Sequence, residues 1–122
     1  MAAPNIKNPI AIYGKTARYA VPPTSLGTAL GPVSANKVFK INSIFCANTD
    51  PANDGTVVDI SVSIYNGATD RYLAYTIAVP ADATQIISTK ETYFYLEEGD
   101  SIRAVASITG RLELIIGYEE IS

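Results

Sequence analysis

Tyr93-Phe94-Tyr95-Leu96-Glu97-Glu98-Gly99-Asp100-Ser101-Ile102-Arg103-Ala104-Val105-Ala106-Ser107-Ile108 lies in the last third of this 122-residue chain, and its periodicity decides the fold. Tyr93 to Leu96 is a short run dominated by aromatic β-formers. Glu97-Glu98-Gly99-Asp100 has turn chemistry, with glycine where a positive φ is needed. From Ser101 onward apolar residues occupy every second position. Ile102, Ala104, Ala106 and Ile108 share one face, and Ser101, Arg103, Val105 and Ser107 share the other. Thr109-Gly110-Arg111 breaks the pattern, and Leu112, Leu114, Ile116 and Tyr118 resume it. A period of two over this length means half-buried antiparallel strands joined by tight turns.

Upstream the same signal recurs. Thr84 to Ser88 reads as a strand, preceded by a turn at Pro80-Ala81-Asp82-Ala83. Before that turn, Leu73, Tyr75, Ile77 and Val79 form the expected inward face of a strand. Asn66-Gly67 opens a hairpin loop that extends to Asp70. The clearest strand places Val58, Ile60, Val62 and Ile64 on a dry face and Asp59, Ser61 and Ser63 on a wet one. Asn48 to Gly55 is a loop marked by Asp50-Pro51 and Asp54-Gly55. Lys37 to Ala47 is a long strand, with Phe39, Ile41, Phe45 and Ala47 on one face and Val38, Ile44 and Cys46 on the other. Apolar residues on both faces suit an inner strand, or one packed on a partner.

Thr24 to Asn36 reads as edge strand or loop, anchored by Leu26, Leu30 and Val33. Thr16 to Val21 is a weak strand stopped by Pro22-Pro23, and Ile10 to Tyr13 is a short strand ended by Gly14. Residues 1–9 read equally well as an arm reaching a neighbouring subunit and as a frayed terminus. Nowhere do apolar residues recur with helical spacing over three turns. The expectation is an all-β, antiparallel, jelly-roll-like β-sandwich of eight to ten short strands with little or no helix, forming one domain over residues 10–122.

Composition narrows the function. At this length the chain buries roughly two-thirds of its unfolded surface and needs neither metal nor disulfide to fold. Charged residues make up 17% and the net charge is −3, with no two basic residues adjacent, which argues against nucleic acid. No apolar run approaches the roughly 20 residues needed to cross a bilayer. No secretion-type leader opens the sequence, so a soluble protein made in a cytoplasm is expected. There is no histidine, and Cys46, the single cysteine, reads as a small buried hydrophobe.

The sequence carries no motif for catalytic chemistry. Triad catalysis lacks its usual base, so no catalytic residue is expected. Glu97, Glu98, Asp100, Glu119 and Glu120 read as solvated acids rather than a glycosidase pair, and a hydrolase using Glu98 and Asp100 is barely supported. The 50–61 segment fails as an EF-hand because Ala52 and Ser61 stand at ligand positions, although Asp50, Asn53 and Asp54 could make a looser cation site. The turn reading is far better, and neither metal nor cofactor is expected. Tyr65, Tyr72 and Tyr75 flank the 66–71 loop, where they suit a sugar-stacking platform or an anchor for a protein partner. Tyrosine in a half-buried strand is the commoner case.

Five segments carry a resemblance: Met1-Ala2-Ala3-Pro4-Asn5-Ile6 with Tyr13-Gly14-Lys15-Thr16-Ala17; Lys37 to Asn42; Thr76 to Thr84; Tyr95 to Arg103; and Gly117 to Ser122. On these the chain resembles the small β-sandwich virion structural proteins of tailed bacteriophages, particularly those of marine cyanobacteria. The resemblance implies a non-enzymatic subunit of the particle, with a capsid decoration (cement) role favoured over a neck or tail component. It implies assembly in the host cytoplasm, contacts with the major capsid protein or other virion subunits, and a closed homo-oligomer, a trimer being typical. In that role residues 1–12, with Pro4, Asn5, Ile6 and Ile10, are expected to grip the lattice, with Tyr65 and Tyr72 as further contacts. The alternative from another class is a glycan-binding module for host attachment, using the 65–75 region.

Overall fold

The two alternating runs at the end of the chain become strands β8 (Ser101–Ala106) and β9 (Leu112–Ile121) of a computed structural model that describes residues 9–122. Ile102, Ala104, Ala106, Leu112, Leu114 and Ile116 are all buried, as their period requires. The other strands are β1 (Ile12–Ala20), β2 (Gly27–Leu30), β3 (Val38–Asn48), β4 (Val58–Tyr65), β5 (Asp70–Val79), β6 (Thr84–Ser88) and β7 (Phe94–Leu96). A single 3-10 turn, Lys90–Thr92, separates β6 from β7.

Two antiparallel sheets pack face to face. One runs β1-β9-β3-β6, with β7 pairing the first half of β3, and the other runs β2-β8-β4-β5. If β6 and β7 are taken as one interrupted strand, the chain repeatedly crosses between sheets in the interleaved order of an eight-position jelly roll. The core lies between the sheets, where Ile41, Ile44, Ile60, Leu96, Leu114 and Ile116 are fully buried. Cys46 is buried among them, and desolvation pushes its thiol up to about 12.

Four expectations about strands and faces need correction. Gly14 does not end a strand: β1 pairs with β9 in unbroken register from Ile12 to Ala20. In β3, Ile41 lies opposite Tyr118 and Ser43 opposite Gly117, so Asn42 is an extra residue. This bulge reverses the alternation, putting Ile44 and Cys46 on the same face as Ile41 and sending Phe45 outward. Asn42 Oδ1 is left buried without a hydrogen-bond partner. In β5, Ile60 faces Ile77, Val62 faces Ala74 and Ser63 faces Tyr72, which inserts extra residues twice, with Thr76 at φ 51. Of the expected inward set only Val79 is buried, and Ala74 takes the place given to Leu73 and Tyr75. Finally, Ser61 and Ser63 are buried rather than wet, because β4 lies between β5 and β8.

Candidate interaction surface

The outward face of the β2-β8-β4-β5 sheet is built by register. Ser63 pairs with Arg103 on one side and Tyr72 on the other, and Tyr65 pairs with Ser101 and Asp70. Period two therefore delivers Ser63, Tyr65, Asp70, Tyr72 and Arg103 to one surface. Ser63 Oγ donates to Asp70 Oδ1 at 2.8 Å, and Arg103 Nη1 donates to Asp70 Oδ2 at 3.2 Å. Both carboxylate oxygens are engaged, so the set ties three strands together.

The guanidinium of Arg103 lies 4.2 Å from the centre of the Tyr65 ring. A cation covers that ring, so Tyr65 is a packed residue and not an open stacking platform. Tyr72 and Tyr75 remain exposed and meet edge to face at 4.8 Å. A cleft of about 150 Å³ beside Thr76 is lined by Asp59, Ser61, Val105 and Ser107, and neither tyrosine reaches it. Of the other expected contact residues, Ile10 is 96% exposed, with its backbone N–H donated to Ser122 O at 2.7 Å. Pro4, Asn5 and Ile6 lie outside the described residues.

The opposite outer face holds a surface that the alternation argument passed over. Arg18 of β1, Ile115 of β9, Phe45 of β3 and Ile86 of β6 are cross-strand neighbours in one row. Ile86 is 51% exposed and Phe45 36%. The run Leu114-Ile115-Ile116 carried the signal, since an apolar residue between two inward ones must face outward. Further along β3 toward its start, Lys40 Nζ sits 4.5 Å from the centre of the Tyr93 ring, and Tyr93 meets Tyr95 edge to face.

Among the acidic residues, Glu120 and Asp100 have structural partners. Glu120 accepts from Lys15 Nζ at 2.6 Å and Lys37 Nζ at 3.0 Å. Asp100 Oδ2 accepts the Glu97 backbone N–H at 3.0 Å, closing the turn. In the 48–55 loop, Arg111 Nη1 reaches Asp50 Oδ1 at 3.2 Å and Asp54 Oδ1 at 2.7 Å, while its Nη2 reaches Asp54 Oδ2 at 2.9 Å. A guanidinium thus stands where the looser cation site would need its ion. Among the described residues no group of three or more His, Cys, Asp or Glu is placed to hold a metal. No helix among them is long and apolar enough to cross a membrane.

These pairs contribute to the acid stability. The Arg111 guanidinium holds the Asp54 carboxyl well below its usual range, and Lys15, then Lys37, lower Glu120. A carboxylate depressed in the folded state stabilises above its unfolded value, and that contribution is lost as pH falls through the folded one. The melting temperature should therefore fall as pH drops below about 4. Arg111→Ala should melt lower than the wild type at pH 7, with a gap that narrows toward pH 2. Thermal melts across that range check this, and parallel curves would refute the assignment to Arg111.

No family model matches this sequence, and no curated protein matches it.

Proposed function

We propose that this protein is a non-enzymatic structural subunit of a tailed-phage particle, with decoration of the head shell as the leading role and a neck or tail position as the second. The observation that carries the reading is the apolar row Ile115–Phe45–Ile86, with Phe45 and Ile86 exposed and Ile115 half-buried, on a rigid sheet rather than on a loop. Exposed apolar surface on a folded scaffold marks a contact surface for protein. The jelly-roll architecture serves viral shells and lectins alike, so it adds an analogy rather than a role.

The test is to add purified protein to capsids that lack it, then sediment and image them. Stoichiometric occupancy of regular lattice sites is expected. The double variant Phe45→Asp/Ile86→Asp should keep its melting temperature within a few degrees and bind at least about tenfold more weakly. Absence of binding to heads would end the decoration reading and direct the same assay to necks and tails. The exposed Tyr72–Tyr75 pair favours a second reading, attachment to a host glycan. A glycan array with Tyr72→Ala/Tyr75→Ala as control decides it.

A further inference from the structure

The four sheet edges are not alike. β2 has four residues and a register shift, β5 carries two bulges, and β6 and β7 are short. Such features keep an edge from pairing with other chains. β1 has none of them: it offers nine residues in unbroken register, with no proline and no bulge. Its backbone phase can be read directly. Ala11 N donates to Ser122 O, Ser122 N donates to Ala11 O, and Val21 N donates to Leu112 O. Odd-numbered residues of β1 therefore bond to β9, and the N–H and C=O groups of Ile12, Gly14, Thr16, Arg18 and Ala20 point away from the sheet.

We infer that β1 pairs antiparallel with β1 of a second copy about a twofold axis at Thr16, joining the two β1-β9-β3 sheets into one. The backbone phase requires even residues to face even residues. Centring on Thr16 sets Ile12 against Ala20, Gly14 against Arg18 and Thr16 against itself. Between them Tyr13 faces Tyr19 and Lys15 faces Ala17. Large side chains meet small ones, aromatic meets aromatic, and no like charges lie directly opposite.

Charge carries the choice of a second copy as the occupant. Arg18 is exposed, and among the described residues neither it nor Glu119 forms an ion pair, since Lys40, the neighbour of Glu119 on β3, holds its ammonium over the Tyr93 ring. Gly14 is the direct neighbour of Glu119 on β9, and a Cβ built at Gly14 meets nothing within 4 Å. The partner's Arg18 would thus lie across a residue without a side chain, with Glu119 beyond it in the same row. Two strand spacings separate their backbones by about 10 Å, which an Arg and a Glu side chain span together. The twofold makes this contact twice. A glycine inside an edge strand, otherwise unfavourable, is accounted for by that approach. The exposed Ile12 likewise faces Ala20, which lines a cleft of about 400 Å³ with Arg18, Glu113 and Ile115.

The pairing goes beyond the particle reading and is tested without capsids, so each can fail alone. Light scattering on the intact chain at about 100 µM should give twice the 13.0 kDa chain mass. Thr16→Pro removes an outward N–H that β9 does not use, so it should leave a folded monomer by circular dichroism. Arg18→Glu and Glu119→Arg should each weaken dimerisation at least about tenfold, and the two together should restore it to within about threefold. If the proline variant fails to fold, the charge-swap pair decides alone. A monomeric or trimeric wild type, or a dimer that these variants leave unchanged, would overturn the pairing.

Discussion

Ile44→Ala is expected to lower stability by about 3–4 kcal/mol, and Phe45→Ala by less than about 1 kcal/mol. The two positions are adjacent in β3, and phenylalanine is the larger side chain, so truncation at equal burial would rank them the other way. The bulge at Asn42 decides the order. Ile44 is fully buried opposite Ile116, whereas Phe45 stands outward between Ile115 and Ile86. Truncating Ile44 removes buried methylenes and leaves a cavity between two rigid sheets, while truncating Phe45 uncovers only part of a surface row. For a domain of this size each kcal/mol moves the melting temperature by about 4 °C, so the variants should differ by roughly 10 °C or more. The reverse order would mean that the alternation of β3 runs straight through Asn42.

The second large effect belongs to a polar residue. Asn48 is buried where β3 ends, and it satisfies three backbone groups with one side chain. Its Nδ2 donates to Thr56 O at 3.1 Å and Val79 O at 3.0 Å, and its Oδ1 accepts the Asp50 N–H at 3.1 Å. Alanine would orphan two carbonyls and one amide at a place partly closed to water. An unsatisfied buried group costs about 1–3 kcal/mol, so Asn48→Ala should destabilise by about 3 kcal/mol. Asn48→Asp should be no milder, because a carboxylate presents two acceptors to carbonyls that need donors. Urea unfolding of the three proteins checks both statements, and a loss below about 1 kcal/mol would mean that water replaces the amide.

At Ile44 and Asn48 alike, residue pattern encodes part of the outcome and strand pairing decides the rest. The runs Ser101 to Ile108 and Leu112 to Tyr118 keep an apolar residue at every second position, and their inward residues lie where period two places them. The same holds for Val58, Ile60 and Val62. Turn chemistry at Glu97 to Asp100 and at Asn48 to Gly55 marked where strands end. From these features alone the antiparallel sandwich was legible, and so was the edge character of the 24–36 segment.

Three things were not. A bulge is a count of two residues against one on a neighbouring strand, so Asn42 and Thr76 cannot reveal themselves without β9 and β4 in place. The faces of β3 and β5, and with them the exposure of Phe45, Leu73 and Tyr75, follow from that count. Which ring is open was equally hidden: Tyr65 and Tyr72 look alike in sequence, but the register sets Arg103 over one and leaves the other in solvent. The edge was the third. Gly14 reads as a strand end because glycine lacks a side chain to pack, yet β9 carries β1 straight through it. By itself the sequence determined the strands, their turns and the two-layer core, because local periodicity and burial suffice for these. Only the tertiary structure decided register, and register alone sets which side chains meet across strands and which face outward.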